Sequence, residues 1–407
     1  MHAFPTTLPA RRALILAAVA LLALALAAAF TSGSAAAAVK QGPKGGAFYV
    51  PPKTLPKGHG KAVWQREATK LAPIAGAKVN KVLLYTSRSP EGKQVVVSGS
   101  VSVPKGKAPK GGWPVISWAH GTTGTADQCA PTRIDPSSVV APYVAYVHPQ
   151  LEDWIKAGYA VVATDYQGLG TPGPHPYLVG EAEGRSVVDM VSAARQLIPD
   201  LGKKYLIAGH SQGGQSALFA ASLADDWAPN LKLKGTTSYA PASHLKAQAE
   251  LLPSLTSPSG LSALAALIVK GASTVTSDIK INKLLTPQAQ SLYPQTEQIC
   301  LPQLAESDSF GGMAPADLLK NNADTTALYD VLDGMNPAVK IGPPVFLAQG
   351  TADTTVFPFF TDQLNGELDA AGDKVDYKTY PGVNHGAIVA AAEDDALDFF
   401  EKRLPAK

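Results

Sequence analysis

The chain has 407 residues, enough for one large α/β domain with an insertion or for two ordinary domains. Apolar residues make up 45% of the sequence and charged residues 17%, which is typical of a globular chain with a sizeable core and excludes a disordered one. The formal net charge is +2, and without a basic run the sequence lacks the electrostatic footprint of a nucleic-acid-binding protein.

The N-terminal stretch has the three parts of an export signal. Arg11 and Arg12 precede an apolar run at residues 13–30, and small residues follow at 34–38. This order predicts a signal peptide over residues 1–38 and therefore a secreted protein. The alternative is an uncleaved membrane anchor, because the apolar run is about long enough to span a bilayer. Both Sec and twin-arginine export stay open.

Strands and helices alternate along the rest of the chain, after an N-terminal extension at residues 39–75 that begins rich in Gly, Pro and Lys. Period-two alternation or continuous apolar runs mark the strands. The predicted strands are 78–87, 94–103, 113–119, 159–165, 204–209, 233–240, 344–348 and 374–380. The predicted helices include 151–157, 181–197, 215–224 and 387–403.

This alternation predicts an α/β fold, a mostly parallel sheet with helices on both faces. Strand signals vanish at residues 244–342, where apolar helical pieces mix with Pro-, Ser- and Asn-rich turns. We interpret this segment as a helical cap inserted between two parts of the core, residues 76–243 and 343–407. The apolar piece at 261–269 either lines a substrate site or packs in the core of the cap.

Residues 209–213 read Gly-His-Ser-Gln-Gly and join a predicted strand to a predicted helix. Strand, tight turn and helix are the context of a Gly-x-Ser-x-Gly nucleophile elbow, in which the flanking glycines leave room for neighbouring backbone. We therefore predict that Ser211 is a nucleophile. The alternative is a structural turn serine.

A serine hydroxyl becomes a good nucleophile only beside a base, and the base needs an acid to hold its tautomer. In this architecture the acid and then the histidine follow the serine, each just past a strand end. Asp353 and His385 meet this requirement, so we predict that His385 is the general base and Asp353 its orienting acid. The alternatives are a turn aspartate and a surface histidine. Asp165 also follows a strand, but it precedes Ser211.

Acyl transfer also needs N–H donors aimed at the developing oxyanion. The first predicted donor is the backbone N–H of Gln212, the residue after the nucleophile. The second lies in the loop His-Gly-Thr-Thr-Gly at 120–124, where Thr123 is the first choice and Thr122 the second. The alternative is a glycine turn without a catalytic role.

Two cysteines, Cys129 and Cys300, make up the whole thiol content of the chain. In an exported protein an even pair predicts one disulfide, and two buried free thiols are the less favoured alternative. Cysteines, histidines and carboxylates show no metal-ligand spacing, and the glycines at 168–173 lack the dinucleotide-binding pattern. We therefore predict no metal and no cofactor.

Several separated motifs resemble the secretory lipase family of α/β-hydrolases, in its lipase-A-like branch. They are Asp-Gln-Cys-Ala-Pro at 127–131, Ala-Thr-Asp-Tyr-Gln-Gly-Leu-Gly at 163–170, the elbow at 209–214 and Ile-Cys-Leu-Pro-Gln at 299–303. The resemblance implies an α/β-hydrolase fold, a Ser-Asp-His triad, hydrolysis of acylglycerols or simpler esters, and a cap between the sixth and seventh strands. It also implies that Cys129 pairs with Cys300. Fungal members carry an acidic residue at the position of Thr123.

The sequence therefore predicts a secreted serine hydrolase, a lipase or carboxylesterase, whose substrate is a small ester or a lipid. We expect a monomer, and transient contact with a lipid interface stays open. An exported acyltransferase with the same triad is one alternative. A non-catalytic binding protein on a hydrolase scaffold is another, but it predicts the loss of a triad residue, and none is missing.

Overall fold

The computed structural model describes residues 1–3 and 38–406. The predicted signal peptide therefore lies almost wholly outside the described residues. The chain divides into two compact units, Met1–Ala38 and Val39–Lys407, and the second carries all the features below. Within the described residues, no helix combines the length and apolar character needed to cross a membrane.

A nine-stranded sheet forms the centre of the second unit, in the order β1-β2-β3-β5-β4-β6-β7-β8-β9. Its strands are β1 Ala62–Glu67, β2 Val79–Arg88, β3 Gln94–Val103, β4 Trp113–Ala119, β5 Ala160–Thr164, β6 Leu201–His210, β7 Lys232–Tyr239, β8 Val345–Gly350 and β9 Val375–Tyr380. The pairs β1–β2, β2–β3 and β3–β5 are antiparallel, and the remaining pairs are parallel. The predicted mostly parallel sheet is confirmed.

Helices connect the strands and cover the sheet. They are α1 Ala141–Ala145, α2 His148–Ala157, α3 Gly180–Leu197, α4 Gln212–Trp227, α5 Leu245–Leu251, α6 Leu261–Ala272, α7 Ile281–Leu284, α8 Pro287–Leu292, α9 Leu301–Leu304, α10 Thr326–Gly334, α11 Pro358–Ala370, α12 Ile388–Ala391 and α13 Glu393–Arg403. The predicted final helix at 387–403 is two helices, because Ala392 leaves the helical backbone region at φ −99° and ψ 10°.

The two faces of the sheet carry separate apolar cores. On one face, α3 and α4 pack against strand residues such as Val115 and Ile207. On the other face, α2 and α13 pack against the adjacent residues of the same strands, Ile116 and Leu206. Successive strand side chains point to opposite faces, so a continuous apolar run is needed to fill both cores. All seven residues of β4 are accordingly buried.

The segment between β7 and β8 is helical, and the structure describes all of it. It contains α5 to α10 and most of a third apolar cluster, with Leu267, Phe310 and Leu332 among the buried members. The cap at residues 244–342 stays our interpretation of this segment. In the structure this segment follows β7, the seventh strand. It was expected after the sixth strand, because β1 was not among the predicted strands. This edge strand is half-exposed and reads Ala-Val-Trp-Gln-Arg-Glu, so it lacks an apolar run.

Candidate active site

Ser211 stands at the turn between β6 and α4. Its backbone has φ 60° and ψ −116°, a conformation that costs energy for a residue with a side chain. The surrounding structure holds it there. The N–H of Ser211 donates to the carbonyl of Tyr239 at 2.9 Å, and the carbonyl of Ser211 accepts the N–H of Gln215 at 3.1 Å. The hydroxyl is thereby presented at the carboxyl edge of the sheet.

The glycines of the elbow allow this close approach of backbone segments. A Cβ on Gly209 would lie 2.0 Å from the carbonyl oxygen of Gly213. A Cβ on Gly213 would lie 1.9 Å from the carbonyl oxygen of Ala119, at the end of β4. Both distances are far shorter than any van der Waals contact. The turn therefore requires glycine on each side of Ser211.

Ser211, His385 and Asp353 lie in one row of hydrogen bonds. Nε2 of His385 is 2.9 Å from Oγ of Ser211, and Nδ1 of His385 is 2.7 Å from Oδ2 of Asp353. The three residues follow the carboxyl ends of β6, β9 and β8, which are brought to one edge because these strands are parallel. The structure thus brings together three side chains that are up to 174 positions apart in sequence.

Asp353 is buried, and its carboxylate is held from several sides. Oδ1 accepts the backbone N–H groups of Thr355 at 2.8 Å and Val356 at 2.9 Å. Oδ2 accepts Nε2 of Gln349 at 3.2 Å, besides the imidazole of His385. These donors leave the carboxylate little freedom to rotate, so the His385 ring is held in one orientation.

Asp165, the rival acid, serves another part of the fold. Asp165 is buried. Its carboxylate oxygens accept hydrogen bonds from the hydroxyl of Ser98 at 2.6 Å and from the backbone N–H of Thr132 at 3.1 Å. Burial raises the pKa of Asp165 to about 6. Its contacts anchor the turn at Pro131–Arg133 to the sheet, and His385 is not among its hydrogen-bond partners.

Two of the predicted oxyanion donors, Thr122 and Thr123, line the same cavity as Ser211. Among hydrogen bonds between described residues, the backbone N–H groups of Gln212, Thr122 and Thr123 find no acceptor. The carbonyl of Thr123 accepts the N–H of Leu301 at 2.9 Å, and Oγ1 of Thr122 lies 2.6 Å from the hydroxyl of Tyr177. Both threonines are therefore fixed while their N–H groups stay free, and either N–H stays a candidate for the second donor.

A disulfide joins Cys129 to Cys300, as predicted, with Cα atoms 5.5 Å apart. It ties the chain that follows the loop at 120–124 to the segment that leads into α9. Oγ1 of Thr125 supports the same connection by donating to the carbonyl of Thr296 at 2.7 Å. The loop that carries the predicted oxyanion donors is thus attached to the helical segment between β7 and β8.

Two apolar cavities meet at Ser211. The larger has a volume of about 810 Å³ and is lined by Ser211, His385 and side chains that include Tyr146 and Phe357. The smaller has a volume of about 170 Å³ and runs between α5, α6 and α10. Residues of this stretch contribute both to the cavities and to the apolar cluster of the helical segment, and a role in lining a substrate site stays a prediction. Leu261 and Leu264 line both cavities, whereas Leu267 packs inside the helical segment.

Glu183 was not predicted as a site residue, yet it lies directly behind the elbow. Its buried carboxylate accepts the side-chain N–H of Gln212 at 2.7 Å, the N–H of Leu178 at 2.8 Å and the hydroxyl of Ser216. Burial raises the pKa of Glu183 to about 7. A signal was present in the sequence, because Glu183 shares a helix face with the apolar residue Val187 four positions later.

A sequence model of secretory lipases matches residues 144–407, which is most of the chain. The chain belongs to the secretory lipase family. The family resemblance predicted from separated motifs is confirmed.

Two lipases are similar in sequence to this member of the secretory lipase family. Lipase A of Moesziomyces aphidis is 26% identical over 202 residues, and the secreted triacylglycerol lipase LIP3 of Malassezia restricta is 25% identical over 202 residues. In both cases the match covers 47% of this chain and 41% of the relative. This chain thus matches about two fifths of the length of these relatives.

Solved structures of two enzymes share the fold. Candida antarctica lipase A in its closed state has a TM-score of 0.71 and 20% identity, and the match covers 85% of this chain and 82% of that one. The rice cell wall degrading esterase LipA of Xanthomonas oryzae has a TM-score of 0.67 and 16% identity, with 85% and 98% covered. At these identities the likeness shows the fold, which is that of α/β-hydrolases.

Proposed function

We propose that this member of the secretory lipase family is a secreted serine hydrolase that cleaves carboxylic esters or acylglycerols through an acyl-enzyme. The observation that supports this most directly is the row of hydrogen bonds from Ser211 through His385 to Asp353, at the meeting point of two apolar cavities. Two proteins of similar sequence are named as lipases, which agrees with this chemistry.

In the first half of the reaction, Oγ of Ser211 attacks the ester carbonyl as Nε2 of His385 takes its proton. The 2.9 Å separation of these atoms suits a direct transfer. The imidazolium that forms is stabilised by the carboxylate of Asp353 at Nδ1. When the tetrahedral intermediate collapses, the carbon–oxygen bond to the alcohol breaks, and His385 gives its proton to the leaving alcohol.

In the second half, water attacks the acyl-enzyme while His385 accepts a proton from it. Collapse breaks the bond between the acyl carbon and Oγ of Ser211, and the proton returns to the serine. Negative charge develops on the carbonyl oxygen in both halves. The free N–H of Gln212 and that of Thr123 or Thr122 would stabilise it there, and removing one such donor costs about 10²- to 10³-fold in rate.

The cavities favour an apolar substrate. The smaller one is lined mainly by aliphatic side chains, which include Leu245 and Ile268, and it opens at Ser211. It suits an acyl chain, which gains about 0.8 kcal/mol for each methylene removed from water. Ser211 lines both cavities, so the scissile ester would lie between an acyl side and an alcohol side.

Contact with a lipid surface is part of the proposal. Several large apolar side chains are exposed on segments that border the cavities. They are Val139, Tyr143, Leu251 and Phe359, with relative exposures of 76%, 43%, 49% and 68%. Apolar side chains exposed together around a cleft mark interaction sites more often than isolated ones do. We infer that they touch a lipid interface while substrate enters.

Secretion is supported by two independent features. Residues 1–38 have the order of an export signal, although most of them lie outside the described residues. The disulfide between Cys129 and Cys300 requires an oxidising compartment to persist.

Hydrolysis of p-nitrophenyl esters of increasing chain length tests the proposal. We expect the wild type to turn over these esters and the Ser211→Ala variant to lose the activity. Ser259→Ala removes a second serine hydroxyl from the same cavity and serves as the matched control, because the hydroxyl of Ser259 accepts the N–H of Leu261 rather than bonding to His385. Full hydrolysis by Ser211→Ala would contradict the proposal. The chain-length profile separates esterase from lipase, since turnover limited to short esters is that of an esterase.

A further inference from the structure

His210 and Tyr146 form a second set of hydrogen bonds that ends at His385. Nε2 of His210 lies 2.9 Å from the backbone carbonyl oxygen of His385, and Nδ1 of His210 lies 2.5 Å from the hydroxyl of Tyr146. The rings of His210 and His385 are also in contact, with centroids 4.6 Å apart. His210 is buried and immediately precedes Ser211 in the elbow.

The direction of each hydrogen bond follows from chemistry. A carbonyl oxygen can only accept, so Nε2 of His210 must carry the proton that it donates to His385. Burial and the neighbouring His385 hold the pKa of His210 well below its usual range, so the ring stays neutral. Nδ1 of a neutral ring protonated at Nε2 can only accept. The hydroxyl of Tyr146 therefore donates to it, and burial raises the pKa of that hydroxyl, which keeps the donor proton in place.

The loop that carries His385 needs such an anchor. Asn384 and Gly386, the residues on either side, are both exposed. Asp353 holds the ring of His385 at Nδ1, but a hydrogen bond to the ring does not fix the main chain of the loop. The hydrogen bond from His210 does fix the main chain, because its acceptor is the backbone carbonyl of His385. The ring and the backbone of His385 are then held by two different partners, Asp353 and His210.

The same pair also lies against the loop at 120–124. A Cβ on Gly121 would lie 3.4 Å from Nδ1 of His210 and 3.5 Å from the hydroxyl of Tyr146. The loop that carries the predicted oxyanion donors therefore packs on the hydrogen bond between these two side chains. Tyr146 also lines the larger cavity, and 37% of its surface is exposed there.

We propose that His210 is a positioning residue for His385, and that Tyr146 fixes the tautomer and orientation of His210 from the wall of the substrate cavity. This inference rests on the proposed function, because it assigns His385 the role of general base. His210 does not touch the reacting atoms. It acts by keeping Nε2 of His385 within reach of Ser211, and a misplacement of about 1 Å at such a position can cost about 10²-fold in rate.

Three substitutions at His210 separate positioning from packing. In His210→Gln the amide nitrogen takes the place of Nε2 and can still donate to the carbonyl of His385. In His210→Asn the amide nitrogen takes the place of Nδ1 and cannot reach it, and His210→Phe keeps only the size of the ring. We expect kcat to fall by about 10- to 100-fold in the Asn and Phe variants and to be largely restored in the Gln variant, with KM little changed. Equal activity of the Phe and Gln variants would overturn the proposal.

The role of Tyr146 is tested in the same assay by a double-mutant cycle. Tyr146→Phe removes only the hydroxyl, and we expect a lower kcat in the wild-type background and no further loss in the His210→Phe background. An equal loss in both backgrounds would overturn the coupling. Thermal unfolding detects whether a His210 variant fails to fold. Tyr146 is partly exposed, so we expect Tyr146→Phe to fold and to test the proposal by itself in that case.

Ser211→Ala distinguishes a failure of this inference from a failure of the proposed function. If Ser211→Ala hydrolyses ester at the wild-type rate, the proposed function is wrong. If Ser211→Ala is inactive while every His210 and Tyr146 variant keeps the wild-type kcat, the positioning role alone is wrong.

Discussion

Oε1 of Glu183 lies 2.7 Å from Nε2 of Gln212, so a fully buried carboxylate holds the side chain that follows Ser211. The same carboxylate accepts the hydroxyl of Ser216 one turn later in α4. Glu183 thus stabilises the first turn of the helix whose N-terminal N–H group is the predicted oxyanion donor. The cost is a carboxyl group removed from water, and this burial raises its pKa to about 7.

This raised pKa predicts a pH dependence of stability. The folded protein binds a proton at Glu183 up to a pH of about 7, whereas the unfolded chain releases it near 4.5. The stabilisation is therefore fully present below pH 4.5 and is lost as the pH rises through about 7. We expect the free energy of unfolding of the wild type to fall by about 3 kcal/mol over this range relative to Glu183→Gln.

Denaturant unfolding of both proteins at a series of pH values measures this difference. Asp165 and Glu393 also have raised pKa values, of about 6 and about 7, and contribute a slope of the same sign. They are present in both proteins, so their contribution cancels. A difference between wild type and Glu183→Gln that stays constant from pH 4 to pH 8 would contradict the account.

Two aspartate variants test which acid supports His385. Asp353→Asn replaces the acceptor at Nδ1 of His385 with a group that favours the wrong tautomer, and we expect kcat to fall by about 10⁴-fold. Asp165→Asn is the matched control, because Asp165 is equally buried but anchors the turn at Pro131–Arg133. It should lower thermal stability and keep most of the activity of the folded protein. The reverse pattern of activities would show that the acid has been misassigned.

Two glycine variants test the geometry of the elbow. Gly213→Ala places a Cβ 1.9 Å from the carbonyl oxygen of Ala119, so the backbone beside Ser211 must move. We expect at least about a 100-fold loss of ester hydrolysis. In Gly366→Ala the new methyl group meets nothing within 4 Å, inside α11. That variant should keep full activity and gain about 0.5–1 kcal/mol of stability. Similar activity of the two variants would be inconsistent with the close packing described.

The disulfide closes a long loop, because Cys129 and Cys300 are 171 positions apart in sequence. The chain-entropy model gives a stabilisation of about 5 kcal/mol for a loop of this length. We expect urea unfolding of the wild type to shift to lower urea concentration when a reductant is added. The Cys129→Ala/Cys300→Ala variant should unfold at that lower concentration with or without reductant. No effect of reductant on the wild type would contradict this expectation.

The positions of Ser211, Asp353 and His385 could be predicted because each leaves a local mark in the sequence. Ser211 lies in a glycine-flanked turn between strand and helix, Asp353 follows an apolar strand, and His385 follows a strand of alternating character, in the expected order. The central strands could be found for the same reason, since burial on both faces demands an apolar run. β1 was missed because an edge strand needs no such run.

The supporting residues could not be predicted from local pattern. His210 and His385 are 175 positions apart, and their contact depends on how β6 and β9 are placed in the sheet. Tyr146 reaches His210 from a connection that precedes β5. No periodicity in the sequence encodes such contacts. Glu183 is an exception, because a charged residue on an apolar helix face is visible before the fold is known.

The covalent step of the proposed mechanism is open to a direct measurement. Diethyl p-nitrophenyl phosphate transfers a phosphoryl group to an activated serine and releases nitrophenol. The account predicts one adduct per chain in the intact mass, loss of ester hydrolysis in proportion to labelling, and location of the adduct on Ser211 by peptide mass spectrometry. Asp353→Asn should label far more slowly than the wild type. Complete loss of hydrolysis with the adduct on another residue, or full hydrolysis by a chain labelled at Ser211, would contradict the account.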